Sequence, residues 1–392
     1  MSIQTERLFL ALLRSEITGT PPDKHVVGEL TAEVLPALYT LAQRHDLAHM
    51  LTGALDKLGL LGEDGVSQKF KKARYAAVYR YEQLRYELEA ACGALDAAKI
   101  SYIPLKGAVI RAWYPEPWMR TSCDIDILVH PQDLERASTV FVEQLGYQKG
   151  IEGSHDVALF APGGLHVELH HETVEENRAA RAAEVLCDVW ADASTENGTL
   201  YRMSDAMFYF YHVAHMAKHI ETGGCGVRTF MDVWVLQHRI SADTAGRSRL
   251  LKQGGLSRFV ETVEQLSEHW FSEGVADDLC LALEAFILYG GAYGNVETHT
   301  AVQQNRKGGR FAYLFGLIFP RYRYLKYQYP ILQRRAWLYP FCLVHRLGSK
   351  LFGKSRKRTA KKWKQVNAVS GSQRGAAAQL LYGLGLSEKE TL

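Results

Sequence analysis

The alternation of apolar and polar positions divides the chain into a helical beginning, a strand-rich middle and a second helical stretch. Between residues 67 and 98, Phe70, Ala73, Ala77, Leu84, Leu88, Ala91 and Leu95 recur at three-, four- and seven-residue spacings, the stripe of an amphipathic helix. Residues 1–99 therefore read as a helical cap. From Ile100 the pattern shortens to apolar runs between turns, SYIPLKG, CDIDILVH, HDVALFAPGG and LHVELHHE, which predict strands. Between the second and third runs, Pro131 opens and Gly146 closes a helix with Leu134, Ala137, Phe141 and Leu145 on one face. Helical periodicity returns at 204–222, with Ser204 or Asp205 as N-cap, at 227–239 after a Gly-rich break, and across 257–290. The polar, turn-rich residues 291–310 mark a boundary. Four regions result: a cap at 1–99, a core at 100–175, a helical domain at 176–295 that closes the active-site cleft, and a basic, aromatic-rich region at 296–392.

Charge sharpens that last boundary. No Asp or Glu falls between Glu297 and Glu388, whereas the window holds 18 Lys and Arg. With +3 on the whole chain, the remainder carries about −15, and a basic tail of this type usually faces phosphates. Tyr322, Tyr324, Tyr327, Tyr329, Trp337 and Tyr339 lie among its arginines, most of them expected in a core or an interface. RNA (tRNA included), nucleotides, or an anionic membrane surface touched by AWLYPFCLVHRLGSKLFGK all fit the composition, as does a plain solvated basic face. No apolar run is long enough to span a bilayer, and Glu6 and Glu16 flank the short apolar run near the N-terminus, which argues against a signal peptide. A cytoplasmic location is expected. The six cysteines contain no CxxC pair, so neither a disulfide framework nor a zinc ribbon is indicated.

The candidate chemistry lies in the strand-rich middle. Asp124 and Asp126 stand two apart in a strand, so both project from one face, where two like charges call for a cation. Glu168 follows after one helix and one further strand, room enough for the chain to return beside them, with His166 and His170 on the same strand face. Three such acids can hold two Mg²⁺, or Mn²⁺, through oxygen ligands, as in-line phosphoryl or nucleotidyl transfer requires. Ahead of them, PLKGAVI places Lys106 and Gly107 in a turn before a short helix running to Trp113. Such a turn offers amides, a positive helix end and the lysine charge to a triphosphate. Arg120 is placed to reach the same phosphates. His212, His215 and His219, with Lys218 among them, suit a helix that lines the nucleotide pocket or caps the core better than a zinc site; Lys218 reads equally as a phosphate contact or a solvated lysine. Arg228 and Asp232, four apart on a helix, are expected to pair with each other.

The order LKG, R-x-x-x-D-I-D-I-L-V, a helix, G-Y, and an acid on a strand followed by His resembles the uncharacterised nucleotidyltransferase family within the polymerase-β-like superfamily. HVAHMAKHIETGGCGVRTFMDVWVL is similar to that family's helical segment, Gly-rich break and R-x-x-x-D helix, and YLKYQYPILQRRAWLYPFCLVHR to its C-terminal region. The resemblance covers about 100–350 with parts of the cap. It implies an α+β polymerase-β-like core, a mixed sheet with helices, flanked by N- and C-terminal helical regions. It also implies Asp124 and Asp126 as metal ligands, Glu168 as the acid activating an acceptor hydroxyl, and transfer of an NMP from an NTP with release of pyrophosphate. The acceptor, a small molecule, a protein or RNA, stays open. The chain departs from many superfamily members at Lys106-Gly107-Ala108, where those carry a Gly-Ser pair; the missing hydroxyl leaves Ser122 or Lys106 to compensate. That turn is similar to the Lys-Gly-Gly turn of abortive-infection nucleotidyltransferase toxins, which opens a tRNA-modifying alternative. A catalytically silent nucleotide- or RNA-binding protein is the other.

Overall fold

The computed structural model describes residues 3–153, 155–173, 180–240, 242–352 and 363–387. Ahead of the sheet run α1 (Ile3–Thr18), α2 (Lys24–Glu29), α3 (Leu35–Arg44), α4 (Ala48–Lys57) and the long α5 (Gly65–Ala97). Asp64 starts α5 as its N-cap, accepting from the amides of Val66 and Ser67, which would otherwise lack partners in the first turn. The predicted stripe is the buried one: Phe70, Ala77, Leu84, Ala91 and Leu95 are hidden, and the last three pack on the sheet.

Five strands among the described residues form one mixed sheet: β1 (Tyr102–Pro104), β2 (Asp124–Val129), β3 (Gln148–Glu152), β4 (Asp156–Phe160) and β5 (His166–His170), in the order β1-β2-β5-β4-β3. Only β2 and β5 run parallel; the other neighbours are antiparallel. The parallel pair needs a crossover, supplied by α7 (Leu134–Leu145) and the β3–β4 hairpin. Gly146 ends α7 at φ 69°, a left-handed cap that glycine adopts without strain.

The period of two then separates the faces. Ile125, Ile127, Val129, Val157, Leu159, Val167 and Leu169 form a buried layer under α5 and under Ala137 and Phe141 of α7. Each such side chain contributes about 1.5–3 kcal/mol by leaving water. The acids occupy the opposite face. The strand β3 was not among the predicted ones: its QKGIE sequence lacks an apolar run, because it is an edge strand with a register irregularity between Lys149 and Glu152. Charged side chains and bulges are common on edges, where they discourage further pairing.

A short α6 (Gly107–Ile110) lies between β1 and β2. After the sheet come α8 (Ala180–Leu186), α9 (Val189–Asp192), a small ribbon of β6 (Ser194–Thr195) and β7 (Tyr201–Arg202), α10 (Asp205–Ile220), α11 (Val227–His238), α12 (Thr244–Gln253), α13 (Ser257–Phe271) and α14 (Asp278–Gly290). The helical stretch expected at 257–290 is thus two helices, the second capped by Asp277. Residues 1–218 with 225–292 make one compact unit and residues 219–224 with 293–392 a second. The sequence regions drawn as cap, core and helical domain therefore lie largely within the first.

In the second unit, residues 291–310 are not mainly turns. They contain α15 (Val296–Arg306), opened by a capping box between Asn295 and Thr298, whose polar composition had disguised it. There follow α16 (Arg310–Ile318), α17 (Tyr322–Gln328), α18 (Ile331–Arg334), α19 (Tyr339–Phe352) and a last helix, Gly371–Gly383, packed along α15. Of the aromatics expected in a core or an interface, Tyr322, Tyr324 and Trp337 are exposed and so lie outside the core.

Candidate active site

Register brings the acids together. In the parallel β2–β5 ladder Asp124 lies opposite His166, Asp126 opposite Glu168 and Leu128 opposite His170, so the acid and histidine side chains share one face. Donor atoms of Asp124, His166 and Glu168 fall within 4.8 Å of one another, as do those of Asp126, Glu168 and His170. Glu168 is common to both sets.

Lys106 and His170 already lie against Asp126. Lys106 Nζ donates to its Oδ1 at 2.8 Å, and His170 Nε2 donates to the same oxygen at 2.8 Å while lying 3.3 Å from Glu168 Oε2. Burial would raise the Asp126 carboxyl, but Lys106 and then His170 outweigh it and hold the group far below the usual carboxylate range. Glu168 is lowered chiefly by the His170 hydrogen bond. His170 would be lowered by burial, yet its bonds to Asp126 and Glu168 raise it. Asp124 behaves oppositely: burial first, then the Asp126 charge, raise it. No hydrogen bond or ion pair reaches the Asp124 carboxylate from the described residues. The cluster therefore sets three acids against one lysine and the His170 imidazole, and the Asp124 carboxylate has no hydrogen-bonded partner among the described residues. An oxygen-rich set with excess negative charge suits a hard divalent cation, with the imidazoles of His166 and His170 as additional donors for softer ones.

The turn before the acids is fixed by the sheet. The Leu105 amide donates to the Asp126 carbonyl at 3.0 Å, which sets Lys106 level with Asp126. Lys106 then takes φ 43°, ψ −118°, a conformation costing about 1–3 kcal/mol for a residue with a Cβ. Burial would lower its ammonium; Tyr211 and Asp126 more than offset that, and the group is raised. Most of the expected amide cradle is already taken up within the turn. The amide of Ala108 donates to Leu105, and those of Val109 and Ile110 donate to Lys106, while α6 is too short for an appreciable dipole. The main polar offering of the turn is the lysine, beside the Gly107 amide. Ser122 is where compensation for the missing hydroxyl was expected: its Oγ lies 3.4 Å from the place a Gly107 Cβ would occupy. That hydroxyl accepts from Arg111 and donates to the Asp124 carbonyl.

Two other expectations are corrected. Arg120 is not presented to the acids: its guanidinium grips Asp232, with Nε 2.8 Å from Oδ1 and Nη2 2.8 Å from Oδ2, and Tyr114 donates to Asp232 Oδ1 at 2.6 Å. Nor do Arg228 and Asp232 pair as i, i+4 neighbours. Asp232 is saturated by Arg120 and Tyr114, and Arg228 donates to Thr121 at 3.1 Å and to Asp46 at 3.3 Å. On α10, the His215 ring lies 6.3 Å from that of Tyr211, and Lys218 is half-buried two turns beyond Tyr211 on the same face. His212 turns instead to the Thr229 carbonyl, and burial lowers it.

The sequence reading missed Tyr211 and Arg111. Tyr211 is buried near enough to Lys106, Asp126 and Glu168 for their charges to act on its phenol, which burial above all raises. Its position four residues before His215 was the available signal. Arg111, one helical turn after Gly107, is buried beneath the turn. It donates to the Gly107 carbonyl and lies over the Tyr81 ring, and burial brings it down to about 10.

A mixed sheet bearing an acid pair on one strand, a third acid in register on its parallel neighbour and a Lys-Gly turn ahead of them is the frame of a nucleotidyltransferase core. The chain belongs to the uncharacterised nucleotidyltransferase family, whose model matches residues 33–272. The match starts well inside the N-terminal helices and ends before the basic region, so the likeness seen at 324–346 lies beyond it. No protein of curated function and no solved structure matches the chain.

Proposed function

We propose that the protein transfers an NMP from an NTP to an acceptor hydroxyl and releases pyrophosphate, with Asp124, Asp126 and Glu168 as the metal-holding and catalytic acids. The observation that carries this reading is the β2–β5 register, which gathers the three carboxylates on one face, where burial and the Asp126 charge raise Asp124 against the opposing pull of Lys106. Two divalent cations, Mg²⁺ or Mn²⁺, held by these acids would offset the negative charge of the triphosphate. Glu168, at the overlap of both donor sets, would orient the acceptor hydroxyl and take its proton. Lys106 supplies the nearest fixed positive charge for the phosphates, and Ser122 a hydroxyl beside the same turn. Arg120, Asp232 and Tyr114 act at one remove, by holding the segment that leads into β2.

A second reading rests on the Asp126 bonds. Lys106 and His170 already offset much of the acid charge, which suits a protein that binds nucleotide without turnover. The two separate on incubation of wild-type and Asp126→Ala protein with each α-labelled NTP, Mg²⁺ and an extract of RNA, protein and metabolites. Metal-dependent labelling that falls by about 10³-fold in the variant supports transfer. Nucleotide binding with no labelling from any NTP supports the silent reading, and equal labelling by the variant removes the acids from the mechanism.

A further inference from the structure

The C-terminal unit has a surface that its own core leaves open. On one side of α19, Cys342 packs against Leu325 and Leu332 in a small apolar cluster that Leu338, Tyr339 and Leu343 flank. The opposite side presents Trp337, Phe341 and Val344, respectively 65%, 66% and 70% exposed. Their spacing of four and three residues makes one continuous stripe, begun in the turn Ala336–Leu338 that leads into the helix. On α16, Phe311 and Phe315 are 87% and 63% exposed one turn apart. Single exposed apolar side chains are ordinary, whereas a stripe of large ones marks an interaction site. The stripe lies in the acid-free window, with Arg334 and Arg335 exposed immediately before Trp337 and KSRKR following α19 in sequence.

We infer that this face docks on an anionic lipid surface, with Trp337, Phe341 and Val344 entering the boundary between headgroups and acyl chains and the flanking arginines meeting the headgroups. A second copy is the poorer occupant, because a self-complementary interface would set one cationic face against another. Single-stranded nucleic acid would meet the cations and stack on the rings, but it gives Val344 no apolar partner. An anionic bilayer satisfies both halves of the surface. Among the described residues no helix is long and apolar enough to cross a membrane, so the contact is peripheral.

The test is co-sedimentation of the full-length protein with phosphatidylcholine vesicles with and without phosphatidylserine, alongside a labelled single-stranded RNA and a measurement of oligomeric state. Sedimentation is expected with phosphatidylserine only, reduced about tenfold or more by Phe341→Ser with Val344→Ser, and separately by Arg334→Glu with Arg335→Glu. All these positions are exposed, and circular dichroism checks that the variants fold. Failure of the folded wild type to sediment overturns the inference, as does undiminished sedimentation of the Phe341/Val344 variant. RNA binding without vesicle binding reassigns the face to nucleic acid, and self-association lost in the variants without vesicle binding reassigns it to a second copy. None of the changed residues belongs to the acid cluster, so loss of lipid binding with NTP transfer intact, or the reverse, keeps this inference and the transferase reading apart.

Discussion

Two buried ionic clusters in the first unit differ in how their charge is balanced. Around Asp232 one carboxylate, fully buried, receives both arms of Arg120 and the Tyr114 hydroxyl. Every strong donor meets an acceptor, and the cluster ties the segment before β2 to α11. On the sheet, three carboxylates share Lys106 and His170, and Asp124 receives no donor from the described residues. Satisfied charge holds a fold together; excess charge of one sign, kept partly open, holds an affinity for the other sign in reserve.

The largest expected effect exchanges stability for activity between the two clusters. Asp232→Ala strands a buried guanidinium and should cost about 3–5 kcal/mol in urea denaturation. Asp124→Ala should leave the denaturation midpoint nearly unchanged and take about 10³-fold from nucleotidyl transfer. A large stability loss in Asp124→Ala would mean that the two clusters are alike.

Much of the acid cluster could be read from the chain because its logic is local. The two-residue spacing of Asp124 and Asp126 fixes their common face, and the helix and strand that follow return Glu168 to it. The Arg120–Asp232 pair could not be read, since 112 residues separate its members and the helix offers Arg228 as a nearer partner. Tyr211 was hidden in the apolar run FYFYHVAH, where periodicity signals burial but not the charges it is buried against. The strand β3 and helix α15 escaped for a common reason: an edge strand and a capped helix end can both be built from polar residues.

Next in size is a pH effect in the helices beside the balanced pair. His45, His49 and His212 are buried and lowered by desolvation, His45 to about 4. A histidine whose folded value lies below its unfolded one, near 6.5, costs nothing above that pH; as pH falls from there toward 4 the unfolded chain gains protons that the folded one refuses. His45 alone should remove about 3 kcal/mol of stability by pH 4. Denaturation midpoints across that range should fall in the wild type and fall less in His45→Gln; an equal slope in both would contradict the assignment.

Smaller still, Tyr114→Phe removes one donor from Asp232 and should cost about 1–2 kcal/mol without touching transfer chemistry directly. The smallest effect belongs to Asp124→Asn, which relieves the like-charge pair: its stability should stay within about 0.5 kcal/mol of wild type or rise slightly, as thermal denaturation without divalent cations would register.

The most direct measurement is electron paramagnetic resonance of Mn²⁺ titrated into wild-type and Asp124→Asn protein with a non-hydrolysable NTP. Saturable uptake by the wild type, weakened about tenfold or more in the variant, is the result expected if the acids hold the cation. Equal uptake by both proteins, or none by either, would contradict a metal-dependent active site on the β2–β5 face.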